Sequence, residues 1–134
     1  MFIKGEIYKR SRDIHDKYQG QRFGGISTPR DYPFIFLFSS PSGEEYGYKD
    51  GWTADGIYLY TGEGQFGNME FTKGNKAILN HKKDEKSLLL FEYISTGLVR
   101  CVGEMEYVGH RFVNTHDLNG RTRRAIVFEL KKKF

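Results

Sequence analysis

Residues 45–64 read EYGYKDGWTADGIYLYTGEG, and this stretch decides how the rest of the chain is interpreted. Within it, residues 56–60 alternate side chains between two faces, which predicts a β-strand. The glycines on either side predict tight turns and leave room for a ligand to approach the backbone closely. The stretch is therefore expected to form a turn, a strand and a second glycine-rich turn.

The side chains of this stretch suit a planar ligand that carries an amino group. Tyr48 and Tyr60 flank a turn that bears Asp50, Trp52 and Asp55. Stacking on an aromatic ring contributes about 1 to 3 kcal/mol per base, and a carboxylate accepts a hydrogen bond from a base amino group. An aromatic hairpin buried in the core is the alternative, and composition alone favours it.

Outside this stretch, strand and helix patterns alternate without linkers or repeats. A short amphipathic helix is predicted over residues 8–18 and a second helix over residues 73–81. Strands are predicted over residues 32–38, 88–94, 98–108 and 125–130, with the third of these long or bent at Gly103, and Asn119-Gly120 marks a tight turn. This order predicts an α+β fold built around one curved β-sheet or small β-barrel with about two flanking helices.

Length and composition narrow the class of protein. The chain has 134 residues, which is the size of one domain spanning residues 1–134, and 38% of them are hydrophobic. No apolar run reaches the roughly 18 residues that a membrane span needs, so no membrane association is expected. The single cysteine, Cys101, excludes an intramolecular disulfide and suits a reducing compartment, so a cytoplasmic location is expected.

Charge is distributed unevenly along the chain. Residues 1–30 carry a net charge of +4, residues 31–72 carry −6, and residues 73–134 carry +6. Basic surfaces are typical of proteins that bind the phosphate backbone of nucleic acids. The candidate phosphate-binding residues are Arg22, Lys73, Arg121, Arg123 and Arg124. The alternative is that the basic residues near the end of the chain form only a solvated strand edge and tail.

The sequence offers little for catalysis. The four histidines lack metal-ligand spacing, and residues 62–67 (GEGQFG) match a dinucleotide-binding spacing without the expected strand and acidic residue around it. Glu104 and Glu106 share one face of a strand and are the best candidates for acid-base or metal chemistry, although a solvated strand face is the simpler interpretation. No catalytic residue, metal or cofactor is therefore expected.

Three blocks in order resemble the SRA family, also called the YDG domain, which recognises modified cytosine in DNA. They are GGI at residues 24–26, a Tyr-x-Asp turn at residues 48–50, and DG-x4-TGEG at residues 55–64, which contains the Tyr-Thr-Gly-x-Gly signature of SRA domains. The segment FGNMEFTKGNKAILNH at residues 66–81 also resembles the family's segment ending in an Asn-x-Ala helix. The resemblance spans roughly residues 13–81.

The resemblance implies a PUA-like barrel that flips a cytosine out of duplex DNA into a pocket. By position, Tyr48 and Tyr60 would stack on the base, Asp50 would accept from its exocyclic amine, and Thr61 would help to close the pocket. Trp52 and Asp55 are further pocket candidates, and the spacing of the motifs differs enough from eukaryotic members that Asp55 could replace Asp50. The base would be 5-methylcytosine or 5-hydroxymethylcytosine.

The chain looks closest to the bacterial domains attached to modification-dependent restriction endonucleases of the histidine-asparagine-histidine (HNH) type. It is then a non-enzymatic binding module, with double-stranded modified DNA and a fused or associated HNH nuclease as partners. The segment after Gly64 is too short for a long finger loop that would fill the space left by a flipped base. Two alternatives remain, namely a PUA-like reader of RNA or modified nucleotides, and a nuclease or base hydrolase using Glu104 and Glu106.

Overall fold

A computed structural model describes residues 2–40 and 50–134. Among these residues, eight strands form one mixed sheet, and two helical segments pack against it. The strands are β1 Ile7–Lys9, β2 Ile26–Ser27, β3 Phe34–Ser39, β4 Gly51–Trp52, β5 Ile57–Thr61, β6 Ser87–Ser95, β7 Leu98–His116 and β8 Thr122–Lys132. A π-helical turn, Arg10–His15, continues into α1, Asp16–Tyr18, and the second helix is α2, Lys73–Leu79. The expected α+β class with a curved sheet is confirmed.

The strand order is β2-β3-β6-β7-β8-β5-β4, with β1 paired to β7 beside this path. β3 and β6 run parallel, with Phe34 opposite Ser87, and the other pairs among the described residues are antiparallel. A strand bordered on both sides and covered on both faces is usually a continuous apolar run. The sequence FIFLFS of β3 fits this position, as predicted.

The bend predicted at Gly103 is a β-bulge. Leu90 pairs with Gly103 and the next residue, Phe91, pairs with Cys101, so one residue of β7 is left over. Gly103 has φ +134°, a conformation that residues with a Cβ rarely adopt. β7 is 19 residues long in total and forms a long hairpin with β8, so the sheet curves around its own core.

The two faces of β3 belong to two hydrophobic clusters. Ile35 and Leu37 join the larger cluster, which lies among β5, β6, β8 and α2, while Phe36 joins a smaller aromatic cluster beneath the N-terminal helical segment. Each fully buried side chain of this size contributes roughly 1.5 to 3 kcal/mol. Cys101 is buried in the smaller cluster, and burial raises the pKa of its thiol, so it packs as an apolar residue.

Several elements differ from the sequence prediction. The amphipathic segment 8–18 begins as strand β1 and a π-helical turn, because its first residues pair with β7 instead of entering the helix. The strands β1, β2 and β4 have two or three residues each and were not predicted, since so short a segment carries no readable alternation. Within the described residues, no helix is long and apolar enough to span a membrane.

Candidate functional site

A cleft of about 850 Å³ opens where the ends of β3 and β5 meet the loops before β2 and α2. One part of its wall contains Arg10, Gly25 and Phe38. Another part contains the glycine turn after β5, and Asp50 and Tyr60 also line it. Segments far apart in the sequence meet here, since the Tyr60 hydroxyl on β5 lies 2.6 Å from the carbonyl oxygen of Gly25 and 3.3 Å from that of Phe38.

Asp50 is held rigidly in this cleft. Its Oδ1 accepts the backbone N–H of Thr61 at 2.8 Å, and its Oδ2 accepts the hydroxyl of Ser39 at 3.0 Å. An ionised carboxylate offers about four lone-pair positions, so acceptor capacity remains on both oxygens. Burial raises the pKa of Asp50, and the hydrogen bonds from Thr61 and Ser39 oppose this effect by stabilising the charged form.

A second layer of polar groups orients Ser39. The hydroxyl of Tyr58 lies 2.8 Å from Ser39 Oγ and 2.9 Å from a carboxylate oxygen of Glu92. Tyr58 itself is fully buried, and its burial raises the pKa of the phenol well above the ordinary value. The Ser39 hydroxyl, which donates to Asp50, thus has a fixed neighbour in the buried Tyr58.

Tyr60 joins two of the sequence blocks physically. Its hydroxyl donates to the carbonyl of Gly25 at 2.6 Å, and burial raises the pKa of this phenol. A Cβ on Gly25 would lie 2.9 Å from the Tyr60 hydroxyl, so this position requires glycine. Only 2% of Tyr60 is exposed, and its ring also packs in the larger hydrophobic cluster. Its role as a stacking face stays a prediction.

The glycine turn after β5 is fixed by the start of α2. Asn75 accepts the backbone N–H of Glu63 at 2.9 Å and donates its amide to the carbonyl of the same residue at 2.9 Å. The Glu63 carboxylate accepts the backbone N–H of Gly74 at 3.0 Å. A Cβ on Gly62 would lie 2.7 Å from Asn75 Oδ1. The segment resembling an Asn-x-Ala helix therefore serves to shape the turn beside Thr61.

The other pocket candidates fall elsewhere. Trp52 and Asp55 are not among the described residues that line the cleft, so their roles at the base stay predictions. Trp52 is 44% exposed, packs edge-to-face on Tyr58 and has the Lys132 ammonium 5.1 Å from its ring centre. Asp55 is exposed in the tight turn between β4 and β5, which points it into solvent. Tyr48 lies outside the described residues.

Four of the five predicted phosphate-binding residues are exposed, and one is not. Arg22, Lys73, Arg121 and Arg124 face solvent, and Lys73 also lines the cleft. Arg123 is 3% exposed, so the prediction that it contacts phosphate is corrected. Its guanidinium donates to Thr115 Oγ1 and to the carbonyls of residues 64 and 67 at 3.0 to 3.1 Å, which ties the glycine turn to the β7–β8 hairpin.

Glu104 and Glu106 each have a lysine partner. Glu104 Oε2 lies 3.2 Å from Lys133 Nζ, and Glu106 Oε2 lies 3.6 Å from Lys82 Nζ. Neither residue lines the cleft. In the parts of the chain that the structure describes, no group of three or more His, Cys, Asp or Glu side chains could hold a metal ion. The two carboxylates thus act as partners in surface ion pairs.

Three residues at the cleft were missed by the sequence analysis. Arg10 lines its wall, whereas Phe23 and Phe66 neighbour lining residues and are 88% and 60% exposed. Both phenylalanines lie in glycine-rich loops, so their rings are exposed beside the cleft. The glycines beside Phe23 and Phe66 were a signal in the sequence that could have indicated both residues. The sequence around Arg10 contained no such signal.

The fold and the cleft together define a module in which a partly buried carboxylate lines a cleft at one edge of a mixed sheet. The family model described as the ScoMcrA-like SRA domain matches residues 4–132, and the chain belongs to this family. None of the curated proteins is similar enough in sequence to count as a match. The resemblance stated from the sequence motifs is thereby confirmed.

Solved structures share the fold over nearly the whole chain. The structure of the sulfur binding domain and SRA domain of ScoMcrA with phosphorothioated DNA has a TM-score of 0.77 at 24% identity, over 98% of this chain and 40% of that chain. The SUVH5 SRA complex with hemi-methylated CG DNA gives 0.67 at 18%, over 96% and 87%. The modification-dependent TagI restriction endonuclease gives 0.70 at 16%, over 99% and 50%. The chain thus spans less than half of the ScoMcrA chain that it matches.

Proposed function

We propose that the cleft binds a 5-modified cytosine, 5-methylcytosine or 5-hydroxymethylcytosine, that has been flipped out of duplex DNA. The observation that carries this proposal is the Asp50 carboxylate, which lines the cleft, is fixed by Ser39 and Thr61, and retains acceptor capacity. Cytosine presents its exocyclic amine as a donor, and a carboxylate is the side chain that accepts from it.

The dimensions of the cleft agree with a nucleotide ligand. A volume of about 850 Å³ lies within the range of roughly 300 to 1,000 Å³ that small-molecule sites occupy. The wall at Tyr60 and the backbone of Thr61 bound the space beside Asp50. We assign Tyr48 as the second stacking ring by its place in the Tyr-x-Asp motif.

Flipping leaves a gap in the base stack that some side chain has to occupy. Unstacking a base costs a few kcal/mol, and DNA-bending proteins offset such costs by inserting apolar side chains between base steps. Phe66 is exposed between glycines on the turn beside the cleft, and Phe23 is exposed on the loop before β2. We assign Phe66 to this role, because the turn that bears it is anchored by the buried Arg123.

Phosphate contacts come from the exposed basic residues. Lys73 is placed at the cleft, while Arg121 and Arg124 lie at the end of the β7–β8 hairpin to which the Phe66 turn is tied. Each phosphate contact on duplex DNA contributes about −0.9 to the slope of log affinity against log salt concentration. If the DNA lies over the cleft and the end of the β7–β8 hairpin, Lys73, Arg121 and Arg124 would meet its phosphates near the place where Phe66 enters the base stack.

In this proposal the domain is a non-enzymatic specificity module of a modification-dependent restriction system, in the cytoplasm with the DNA. Support comes from the family and from structural relatives whose descriptions include methylated DNA, phosphorothioated DNA and a modification-dependent restriction endonuclease. We propose that an HNH nuclease, fused or associated, supplies cleavage.

An equilibrium titration tests the proposal. Labelled duplexes of one sequence carry cytosine, 5-methylcytosine or 5-hydroxymethylcytosine at a single position, and fluorescence anisotropy gives each Kd over a series of salt concentrations. Tighter binding of a modified duplex, with a negative salt slope, supports the proposal. Equal Kd values for the three duplexes contradict it, and stronger binding to an RNA of the same sequence would favour an RNA reader instead.

A further inference from the structure

Arg10 is fixed flat against the wall of the cleft. Its guanidinium carbon lies 3.7 Å from the centre of the Phe38 ring, and the Phe38 ring stacks in turn on Phe91 at 5.7 Å with an interplanar angle of 24°. The chain reaches this position through the π-helical turn that begins at Arg10. The guanidinium is therefore held in one orientation before any ligand binds.

The hydrogen bonds of Arg10 go to uncharged acceptors. Its Nε donates to His15 Nε2 at 2.9 Å, and its two terminal nitrogens donate to the carbonyls of Gly24 at 2.9 Å and Gln21 at 3.2 Å. Because His15 Nε2 accepts, the ring proton of the neutral imidazole lies on Nδ1, which donates to the carbonyl of Gln19. Three of the five N–H groups of Arg10 are thus used, and none of them meets a negative charge.

Among the residues that the structure describes, no carboxylate lies within salt-bridge distance of Arg10. The neighbouring arginines differ, since Arg12 pairs with Asp13 at 2.9 Å and Arg22 pairs with Asp16 at 2.8 Å. Burial lowers the pKa of Arg10, which reflects the cost of holding a charge away from water. Within the described part of the chain, Arg10 is thus a partly buried cation without a carboxylate partner at the wall of an open cleft, an arrangement suited to receiving an anion from outside.

We propose that Arg10 binds the backbone phosphate next to the nucleotide whose base lies against Asp50. The assignment rests on the proposed function. It adds a phosphate subsite inside the cleft, whereas the other phosphate contacts lie on the outer surface. The planar fork of a guanidinium matches two phosphate oxygens, and its two remaining N–H groups suit this contact. Gly24, which accepts from Arg10, adjoins Gly25, which accepts from Tyr60, so the phosphate and base parts of the cleft share one loop.

A chemical replacement of the phosphate tests this assignment. In the duplex with 5-methylcytosine, a neutral methylphosphonate replaces the phosphate on the 5′ side, or on the 3′ side, of the modified nucleotide. One of the two replacements is expected to weaken binding by about tenfold to a hundredfold, as for the loss of a charge-assisted hydrogen bond. Arg10→Met should weaken binding of the unsubstituted duplex by a similar factor and make the same methylphosphonate silent.

The controls separate this role from a structural one. Arg30→Met removes an arginine that is almost fully exposed. In this control the loss of affinity from the substitution and the loss from the methylphosphonate should add, because the two groups do not contact each other. Arg10→Lys keeps the charge, so the methylphosphonate should still weaken its binding in part. If thermal unfolding shows that Arg10→Met does not fold, Arg10→Lys is used in its place. If the losses of affinity from an Arg10 variant and from each methylphosphonate simply add, while the protein still prefers the modified duplex, the assignment of Arg10 is wrong and the proposed function stands. Loss of any preference in the unaltered protein would overturn the proposed function.

Discussion

Replacing Asp50 by asparagine should remove discrimination for the modified base while leaving the fold intact. The asparagine oxygen can still accept the backbone N–H of Thr61, and its amide can donate to Ser39 Oγ once that hydroxyl rotates. The internal hydrogen bonds are thus largely kept. The negative charge that would accept the cytosine amine is lost.

The size of the effect follows from the type of hydrogen bond. Hydrogen bonds to charged groups contribute about 1.5 to 3 kcal/mol, which corresponds to about a tenfold to a hundredfold loss in the ratio of Kd values between unmodified and modified duplex. Binding to the unmodified duplex should change little, because surface phosphate contacts dominate it. The assay is the anisotropy titration at one salt concentration.

Asp55→Asn is the matched control, since it makes the same chemical change in the exposed turn between β4 and β5. It should leave the discrimination ratio unchanged. Urea denaturation of both variants checks that they unfold with the stability of the parent protein. A folded Asp50→Asn protein that keeps its preference for modified cytosine would refute the assignment of Asp50 to the base.

The remaining predictions concern the surface and the stability of the fold. Arg123→Met should lower the free energy of unfolding, measured by urea denaturation, by about 1 to 3 kcal/mol because it leaves buried carbonyl groups unpaired. Arg124→Met should leave this free energy unchanged and should reduce the slope of log affinity against log salt concentration by about 0.9. Phe66→Ala should weaken binding to modified duplex by about 1 to 3 kcal/mol of lost stacking without lowering the melting temperature, and an unaltered Kd would exclude Phe66 as the inserted side chain. Stability should fall as pH drops below about 6.5, the ordinary pKa of histidine, because burial lowers the pKa of His81 in the folded protein and the unfolded chain therefore takes up the proton first. In His81→Gln this loss should be smaller, and an identical pH profile of the melting temperature would show that His81 is not its source.

Sequence analysis located the centre of the cleft because the motif residues there are tied to backbone geometry. Asp50 and Thr61 are adjacent in space through a hydrogen bond, and Gly25 is required by the approach of Tyr60. The blocks found in order along the chain are therefore in contact. Strands longer than four residues were also predicted, since their apolar patterns extend over enough positions to be recognised.

Other features depended on tertiary packing that local patterns do not encode. Residues 125–128 of β8 are buried on both faces, so alternation could not indicate that Arg123 turns inward while Arg124 faces solvent. Asp50 and Asp55 occupy one polar turn region in the sequence, and the pairing of β4 with β5 directs only one of them to the cleft. Arg10 lies far from the motif and reaches the cleft through a π-helical turn.

The parallel pairing of β3 with β6 has a consequence for how the protein folds. Phe34 pairs with Ser87, and the intervening chain contains the end of β5, the glycine turn after it and Lys73 at the start of α2, which line much of the cleft. Bringing such distant segments together carries a loop-closure cost before any contact compensates for it, so folds dominated by non-local pairs form slowly. The site cannot be assembled by a local hairpin. DNA binding should accordingly return during refolding only when the whole sheet has formed, which makes binding a direct reporter of complete folding.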